Sequence, residues 1–152
     1  MELDKIDRKI LKLLQIDSQT TVKDIANRVG LSTTPVFERI KRLEKNGFIK
    51  KYVAIVDKEK LNKGLTVFST IVLKDHSRIA FRKFEADVSK FEEVLECYII
   101  AGNADYLLKI VVGNMKEYND FATYKIGGLE NVSRSVSSFV MAEVKDTNVI
   151  PV

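Results

Sequence analysis

The run from Ser32 to Lys45 contains the residue types that bind nucleic acid, at a spacing that suits a helix. Arg and Lys can donate hydrogen bonds to guanine acceptors in the DNA major groove, and hydroxyl groups can reach bases or phosphates. At the helical period, Val36, Ile40 and Leu43 fall on one side and the polar residues fall on the other. The candidate DNA-binding residues are Ser32, Thr33, Thr34, Pro35, Glu38, Arg39, Lys41, Arg42 and Lys45.

The positive charge of the chain is concentrated in the same region. The formal net charge is +4, and residues 1–60 hold 14 Lys and Arg against 9 Asp and Glu, whereas residues 61–152 hold 11 against 12. An excess of cations confined to one part of a chain favours a polyanion as partner. The alternative is a solvated surface helix with i, i+4 pairs such as Glu38 with Arg42, which would have the same periodicity.

A second candidate site is the turn "AGNADY" (101–106), where Gly102 and Asn103 are turn-forming residues and Asp105 is the one carboxylate. A free amino acid needs an acceptor for its ammonium group, donors for its carboxylate and an apolar wall for its side chain. The carboxylate and the backbone of this turn supply the first two. An Asp beside a Gly-Asn turn can also cap backbone amides, and this structural role is the alternative.

Cysteine and histidine are too scarce for disulfide, metal or triad chemistry. Cys97 and His76 are the only residues of their types, so we expect no intrachain disulfide, no metal or other cofactor and no catalytic triad. Cys97 lies in a strand-like run and is expected to be buried. The chain has no apolar run of the ~18 residues that span a bilayer, and its N-terminus is charged, so we expect a cytoplasmic protein.

Three helices are predicted before residue 50. Apolar residues at helical spacing predict a first helix over 4–16, and a second helix begins at Thr21 and ends at Gly30. The third helix begins at Ser32 and ends at Asn46. Two short helices joined this tightly behind a packing helix form a helix-turn-helix unit, with the third helix, about 32–46, as the recognition helix.

The spacing of the apolar residues changes from helical to alternating after this unit. The segment "FIKKYVAIV" (48–56) alternates like a strand and would form a wing. We predict a winged helix-turn-helix domain over 1–56, a polar linker over 57–64 and a second domain over 65–152. The predicted strands and helices of the second domain follow the order βαββαβ, which is a ferredoxin-like α+β fold; the strands are 65–73, 93–100, 105–112 and 132–144, and the helices are 79–89 and 115–125.

Four stretches together resemble one family. They are "LDKIDRKILKLLQ", "IANRVGLSTTPVFERIKRLEKNGFIKKY", "CYIIAGNADYLLKIVV" and "SSFVMAEVK", in order and spread over nearly the whole chain. They resemble the leucine-responsive regulatory protein/AsnC family of transcription regulators. The resemblance implies a ferredoxin-like domain that senses amino acids, homodimers that commonly assemble into octamers, and a roughly palindromic double-stranded DNA operator.

The resemblance also implies residues for the effector site. The turn resembles the G-x-x-D-Y motif that lines this site between neighbouring dimers in the family. Here Asn103 and Ala104 replace a common acidic residue and a common aromatic residue, and Phe139 is bulkier than the usual aliphatic residue. The implied effector-binding residues, from one subunit or two, are Ile99, Gly102, Asn103, Ala104, Asp105, Tyr106, Met115, Phe139 and Val140, with Met141 as a further apolar neighbour.

These observations predict a nucleoid-associated, sequence-specific transcription regulator that responds to an amino acid, most simply of the leucine or methionine type, and that is not an enzyme. The first alternative is an architectural DNA-binding protein of the nucleoid that has no physiological ligand. The second is an enzyme, since the architecture also resembles a group of sirohaem decarboxylases. Those enzymes rely on histidines near a tetrapyrrole, and this chain has only His76.

Overall fold

The computed structural model describes residues 2–152, which form two compact units. The first unit contains the chain up to Ile55 together with Val144–Val152, and the second contains Val56–Glu143. None of the helices in residues 2–152 has both the length and the apolar character needed to cross a bilayer. Over the same range, no group of three or more His, Cys, Asp or Glu side chains is arranged to hold a metal ion.

The first unit contains three helices, as predicted: α1 (Lys5–Ile16), α2 (Val22–Val29) and α3 (Thr33–Lys45). Each is amphipathic, and the apolar faces meet in one core. The fully buried residues of this core include Ile10, Ile25, Val36 and Leu43.

The caps of these helices set where α3 begins. Gly30 ends α2 in the left-handed conformation, with φ of 73°, which glycine adopts without a steric penalty. Asp4 and Asp7 form a reciprocal capping box at the start of α1. Ser32 occupies the N-cap position of α3, but its side chain makes no capping hydrogen bond.

The segment expected to form a wing is not a strand in this chain. Residues 50–56 form neither a strand nor a helix, and the apolar side chains of Val53, Ile55 and Val56 are exposed. The alternating pattern is that of a strand, but a strand also needs a neighbour to accept its backbone hydrogen bonds. No segment in residues 2–152 pairs with this one.

The second unit has the predicted βαββαβ order. It comprises β1 (Leu65–Leu73), α4 (Arg78–Val88), β2 (Val94–Ile99), β3 (Tyr106–Val112), α5 (Met115–Asp120) and β4 (Val132–Phe139), and α5 continues as a π-helical segment, Phe121–Ile126. The sheet order is β2-β3-β1-β4, and each neighbouring pair is antiparallel. This is the ferredoxin-like topology.

Helix α4 and the π-helical segment pack on one face of this sheet. Val67, Ile71, Leu108 and Ile110 are fully buried there, and Phe84 of α4 lies in the same cluster. Two large apolar residues of the sheet, Phe68 and Val136, remain exposed. The face of the sheet that carries Phe68 and Val136 is therefore not covered by the helices of its own unit.

Three details differ from the sequence-based expectations. Strand β4 ends at Phe139 rather than at residue 144. The segment Val144–Val152, which follows β4, belongs to the first compact unit, and the amide N–H of Ile150 donates to Oε1 of Gln15 at 2.7 Å. Cys97 is exposed because it lies on β2, the edge strand, rather than in the core.

Candidate nucleic-acid interface and ligand site

Helix α3 presents most of the candidate DNA-binding residues to solvent. The exposed ones are Ser32, Thr33, Thr34, Glu38, Lys41, Arg42 and Lys45, whereas Pro35 and Arg39 are half-buried. Because the hydroxyl of Ser32 makes no capping bond, it is available to an anion at the start of α3. The helix therefore has a polar outer side with cations toward its C-terminal half.

Two of these cations bind carboxylates at the start of α1, those of the N-cap residue Asp4 and of Asp7. The side chain of Asp7 is 1% exposed, and its Oδ1 accepts hydrogen bonds from Nη1 of Arg39 at 2.7 Å and from Nη2 of Arg42 at 3.0 Å. Arg39 Nη1 also donates to Oδ2 of Asp4 at 2.5 Å. We call Asp4, Asp7, Arg39 and Arg42 the α1–α3 clamp.

The clamp has an electrostatic signature. The amide N–H of Asp7 and the Arg39 guanidinium hold the pKa of the Asp4 carboxyl below its ordinary value. The two carboxylates raise the pKa of Arg39. Paired and hydrogen-bonded charges of this kind fix geometry. The clamp therefore sets how α3 lies against α1, and the predicted role of Arg39 and Arg42 as direct DNA contacts stays a prediction.

The remaining cations of α3 are closer to solvent. Nζ of Lys41 lies 2.9 Å from Oε2 of Glu44 and 5.6 Å from the centre of the Phe37 ring. Lys45 is exposed and forms no ion pair in the part of the chain that the structure describes.

Phe37 is a residue that the sequence analysis missed. It is 50% exposed on α3, although it is a large apolar residue. The signal was present in the sequence, because Val36, Ile40 and Leu43 already occupy the buried side of the helix and Phe37 lies off that side.

Asp105 is tied to the backbone of the second unit. Its Oδ2 accepts a hydrogen bond from the amide N–H of Leu73 at 2.7 Å and lies 3.2 Å from Nε2 of His76. Its own N–H donates to the carbonyl oxygen of Ile71 at 2.9 Å. Asp105 thus performs the backbone-capping role that was the alternative to ligand binding, although the amide it caps belongs to β1 rather than to its own turn.

Two residues of the predicted effector set lie in the core. Tyr106 is fully buried, its ring centre is 4.6 Å from that of Phe84, and its hydroxyl donates to Oε1 of Glu85 at 2.9 Å. Burial and this carboxylate raise the pKa of Tyr106. Ala104 is buried as well. These two side chains therefore pack beneath the turn and are not exposed at its surface.

The rest of the predicted effector set divides into two groups. Gly102 and Asn103 are exposed in the turn, and Ile99 is exposed just before it. This group lies near the end of β1 that contains Ile71, the residue that pairs with Tyr106. Phe139 pairs with Val67, and the N–H of Val140 donates to the carbonyl oxygen of Thr66 at 3.0 Å, so these residues lie at the other end of β1.

Met115 lies at this second end too, because it follows β3 beyond Val112, the partner of Leu65. Val67 and Ile71 are separated by about 13 Å of strand, at roughly 3.3 Å per residue. One copy of the chain therefore does not bring the two groups together.

A cavity of about 430 Å³ lies beside the turn, lined by His76, Arg78, Phe81, Arg82, Glu85 and Ile99. Its lining combines cationic groups with a carboxylate and two apolar side chains. A larger cavity, of about 680 Å³, lies between α4 and residues 128–131 and contains none of the predicted effector residues. The smaller cavity is therefore the one that adjoins the predicted ligand site.

Comparison with known proteins assigns both units. A winged helix-turn-helix DNA-binding domain matches residues 3–50, and an Lrp/AsnC ligand binding domain matches residues 66–150. The chain is 39% identical over 150 residues to the DNA-binding transcriptional activator DecR of Escherichia coli (strain K12), covering 99% of each protein. It is 40% identical over 147 residues to the leucine-responsive regulatory protein of Salmonella typhimurium, covering 97% of this chain and 90% of that protein.

Solved structures agree with these matches. A transcriptional regulator from Neisseria meningitidis in complex with L-Met has a TM-score of 0.95 and 35% identity, covering 99% of this chain and 97% of that one. An AsnC family transcriptional regulator from Agrobacterium tumefaciens has a TM-score of 0.94 and 41% identity, covering 98% and 97%.

Proposed function

The chain belongs to the Lrp/AsnC family of DNA-binding transcription regulators, and we propose that an amino acid bound by its second unit controls the DNA contacts of its first unit. The observation that carries the proposal is the pairing, in one chain, of a clamped basic helix with a ligand-binding domain. The named relatives are transcription regulators and not enzymes.

On the DNA side, α3 is the helix that enters the major groove. Its outer side carries Thr34, Glu38, Lys41 and Lys45, which can reach base edges, and the uncapped hydroxyl of Ser32 suits a phosphate at the helix N-terminus. In this proposal Arg39 and Arg42 act mainly through Asp7 by holding the helix at its angle. Such a protein acts on the nucleoid in the cytoplasm.

On the ligand side, the turn and the smaller cavity supply the groups that recognise a free amino acid. In the cavity, Arg78 and Arg82 suit its carboxylate, Glu85 suits its ammonium group, and Phe81 with Ile99 suits an apolar side chain. Asp105 of the turn, next to the cavity residue His76, is a second carboxylate for the ammonium group. An effector of the leucine or methionine type fits this chemistry. The Neisseria meningitidis relative, solved with L-Met, supports the same class.

A complete effector site needs more than one copy of the chain. The predicted residues lie at opposite ends of β1, so a second subunit must bring Met115, Phe139 and Val140 toward another subunit's turn. The uncovered sheet face around Phe68 and Val136 and the exposed segment 50–56 are suitable contact surfaces. We therefore propose a homodimer that assembles further, up to an octamer, on a roughly palindromic operator.

Regulation then follows from linkage. An effector that binds between subunits stabilises the assembly that contains its site, and the preferred assembly sets the spacing of the α3 helices on DNA. The effector therefore changes DNA affinity without contacting DNA.

Light scattering of the purified protein, alone and with each of the twenty amino acids, tests this mechanism. We expect a change of mass with one or a few apolar amino acids and a parallel change in affinity for an operator fragment. Unchanged mass and unchanged DNA affinity with all twenty would overturn the effector part. Wrapped footprints with little sequence preference would then favour the architectural alternative.

A further inference from the structure

Phe37 is an apolar side chain on the outer part of a basic helix. The residue is 50% exposed, whereas its neighbour Val36 and the later residues Ile40 and Leu43 are buried. It is not among the side chains that pack on the core of the first unit. The stability of the fold therefore does not account for a phenylalanine at this position.

The surroundings of the ring indicate the charge of its partner. Lys41 lies one helical turn further on, with Nζ 5.6 Å from the ring centre, and its side chain is 58% exposed. Thr34 and Lys45 lie on the same outer side of α3. An exposed ring beside cations and a hydroxyl suits an anionic partner that also offers an apolar group.

Double-stranded DNA has such a group in only one place in the major groove. Among the base edges there, the C5-methyl of thymine is the one apolar contact, and aromatic side chains can bind it. A second copy of this chain could also cover an aromatic ring, but the excess of cations in residues 1–60 favours a polyanion.

We propose that Phe37 is a specificity-determining residue that reads a thymine methyl group in each half-site of the operator. Lys41, whose Nζ lies over the face of the Phe37 ring at 5.6 Å from its centre, supplies the adjacent positive charge. The inference rests on the proposal that α3 enters the major groove. It adds the base that the helix selects and the residue that selects it.

The test pairs a protein change with a DNA change that removes the methyl group alone. Operators are selected from a random pool with the wild-type protein, and each thymine is then replaced in turn by deoxyuridine. At one thymine in each half-site, we expect the deoxyuridine replacement to lower the wild-type affinity about fourfold. This factor corresponds to the free energy gained when one methyl-sized group is buried. Phe37→Ala should bind thymine DNA with this weaker affinity and show no further decrease with deoxyuridine, whereas Phe37→Leu should remain sensitive.

Phe48→Ala is the matched control, since Phe48 is 42% exposed and lies after the end of α3. It should keep the full deoxyuridine effect. The inference is overturned if Phe37→Ala retains the deoxyuridine effect, or if this variant changes the mass of the assembly, which would make a second copy of the chain the partner of Phe37.

A further variant separates this inference from the proposal on which it rests. If Lys45→Ala leaves both the affinity and the salt dependence unchanged, the placement of α3 in the groove fails, and the inference fails with it. If Lys45→Ala weakens binding while no thymine couples to Phe37, only the inference fails.

Discussion

The carboxylate of Asp7, which is 1% exposed, accepts two hydrogen bonds at 3.0 Å from Nη2 of Arg42, a residue 35 positions later on helix α3. The pair joins the first helix of the chain to the helix proposed to enter DNA. A residue that looked like a groove contact is thereby also a structural partner of a buried acid. The two roles predict different effects of mutation.

Asp7→Asn should loosen the packing of helix α3 on α1. The change keeps the size of the side chain but removes the charge that both arginines bind, and hydrogen bonds to charged groups contribute roughly 1.5–3 kcal/mol each when well formed. Since Arg42 is half exposed, we expect a smaller decrease, about 1–2 kcal/mol, in the opening free energy of α1 and α3. Amide hydrogen exchange measures it, and Glu2→Gln, at an exposed acid, is the control. Unchanged protection in α3 would show that the clamp does not hold the helix.

Lys45→Ala and Arg42→Ala should weaken DNA binding in different ways. If Lys45 binds a phosphate, its replacement lowers the slope of log K against log salt by about 0.9 for each phosphate that the protein no longer neutralises. Arg42→Ala should reduce affinity with little change in slope, because Arg42 acts through Asp7. Binding titrations at several salt concentrations measure both quantities, with Lys60→Ala in the second unit as the control. A slope that falls equally in both variants would restore Arg42 as a direct phosphate ligand.

Asp105→Asn should separate the structural role of Asp105 from its role toward a ligand. The amide oxygen of Asn can still accept the hydrogen bond from the N–H of Leu73, so the turn is retained, while the negative charge proposed to bind an ammonium group is removed. We expect basal DNA binding and thermal stability close to those of wild type, together with loss of the response to the amino acid.

Asp105→Ala is the comparison for this variant. It should lose the response and also about 1–3 kcal/mol of stability, because the amide of Leu73 is left without its acceptor. If Asp105→Asn responds to the amino acid as wild type does, Asp105 serves the backbone alone.

The pKa of Asp4 predicts how the clamp depends on pH. Its folded pKa lies below its ordinary value of 3.8, so its contribution to stability is present above that value and is lost as pH falls through the folded pKa. Asp4→Asn keeps a good N-cap but removes the charge. We expect this variant to be slightly less stable than wild type at pH 7 and equally stable at low pH. Urea unfolding at a series of pH values checks this, and a stability difference independent of pH would contradict it.

Much of the fold follows from the residues themselves. The sequence predicts strand β1 over 65–73, and the structure has it there. These nine residues are rich in β-branched side chains, which favour the pleated surface of a strand. The three helices were set by apolar periodicity and by local caps such as Gly30 and Asp4, which act within a few residues of their own position. The βαββαβ order is likewise a property of local patterns taken in sequence.

The candidate sites depended on interactions between distant residues. A helical wheel shows that Arg42 is polar and outward, but it does not show that Asp7 is within reach, because that ion pair depends on how α1 and α3 pack. The same applies to Asp105, because its hydrogen-bond partner Leu73 is on another strand. In residues 50–56 the alternation of apolar and polar residues is visible in the sequence, but a strand forms only if a neighbouring strand accepts its backbone hydrogen bonds.

The sequence by itself determined the fold class, the order of the elements, the basic helix and the acidic turn, because each depends on side chains close together along the chain. Only the tertiary structure decided which cations of α3 are held by α1, which residues of the turn are buried, and that Phe139 and Asp105 lie toward opposite ends of β1. Long-range packing brings together residues that the sequence keeps far apart, and it leaves the two parts of the proposed effector site for a second subunit to join.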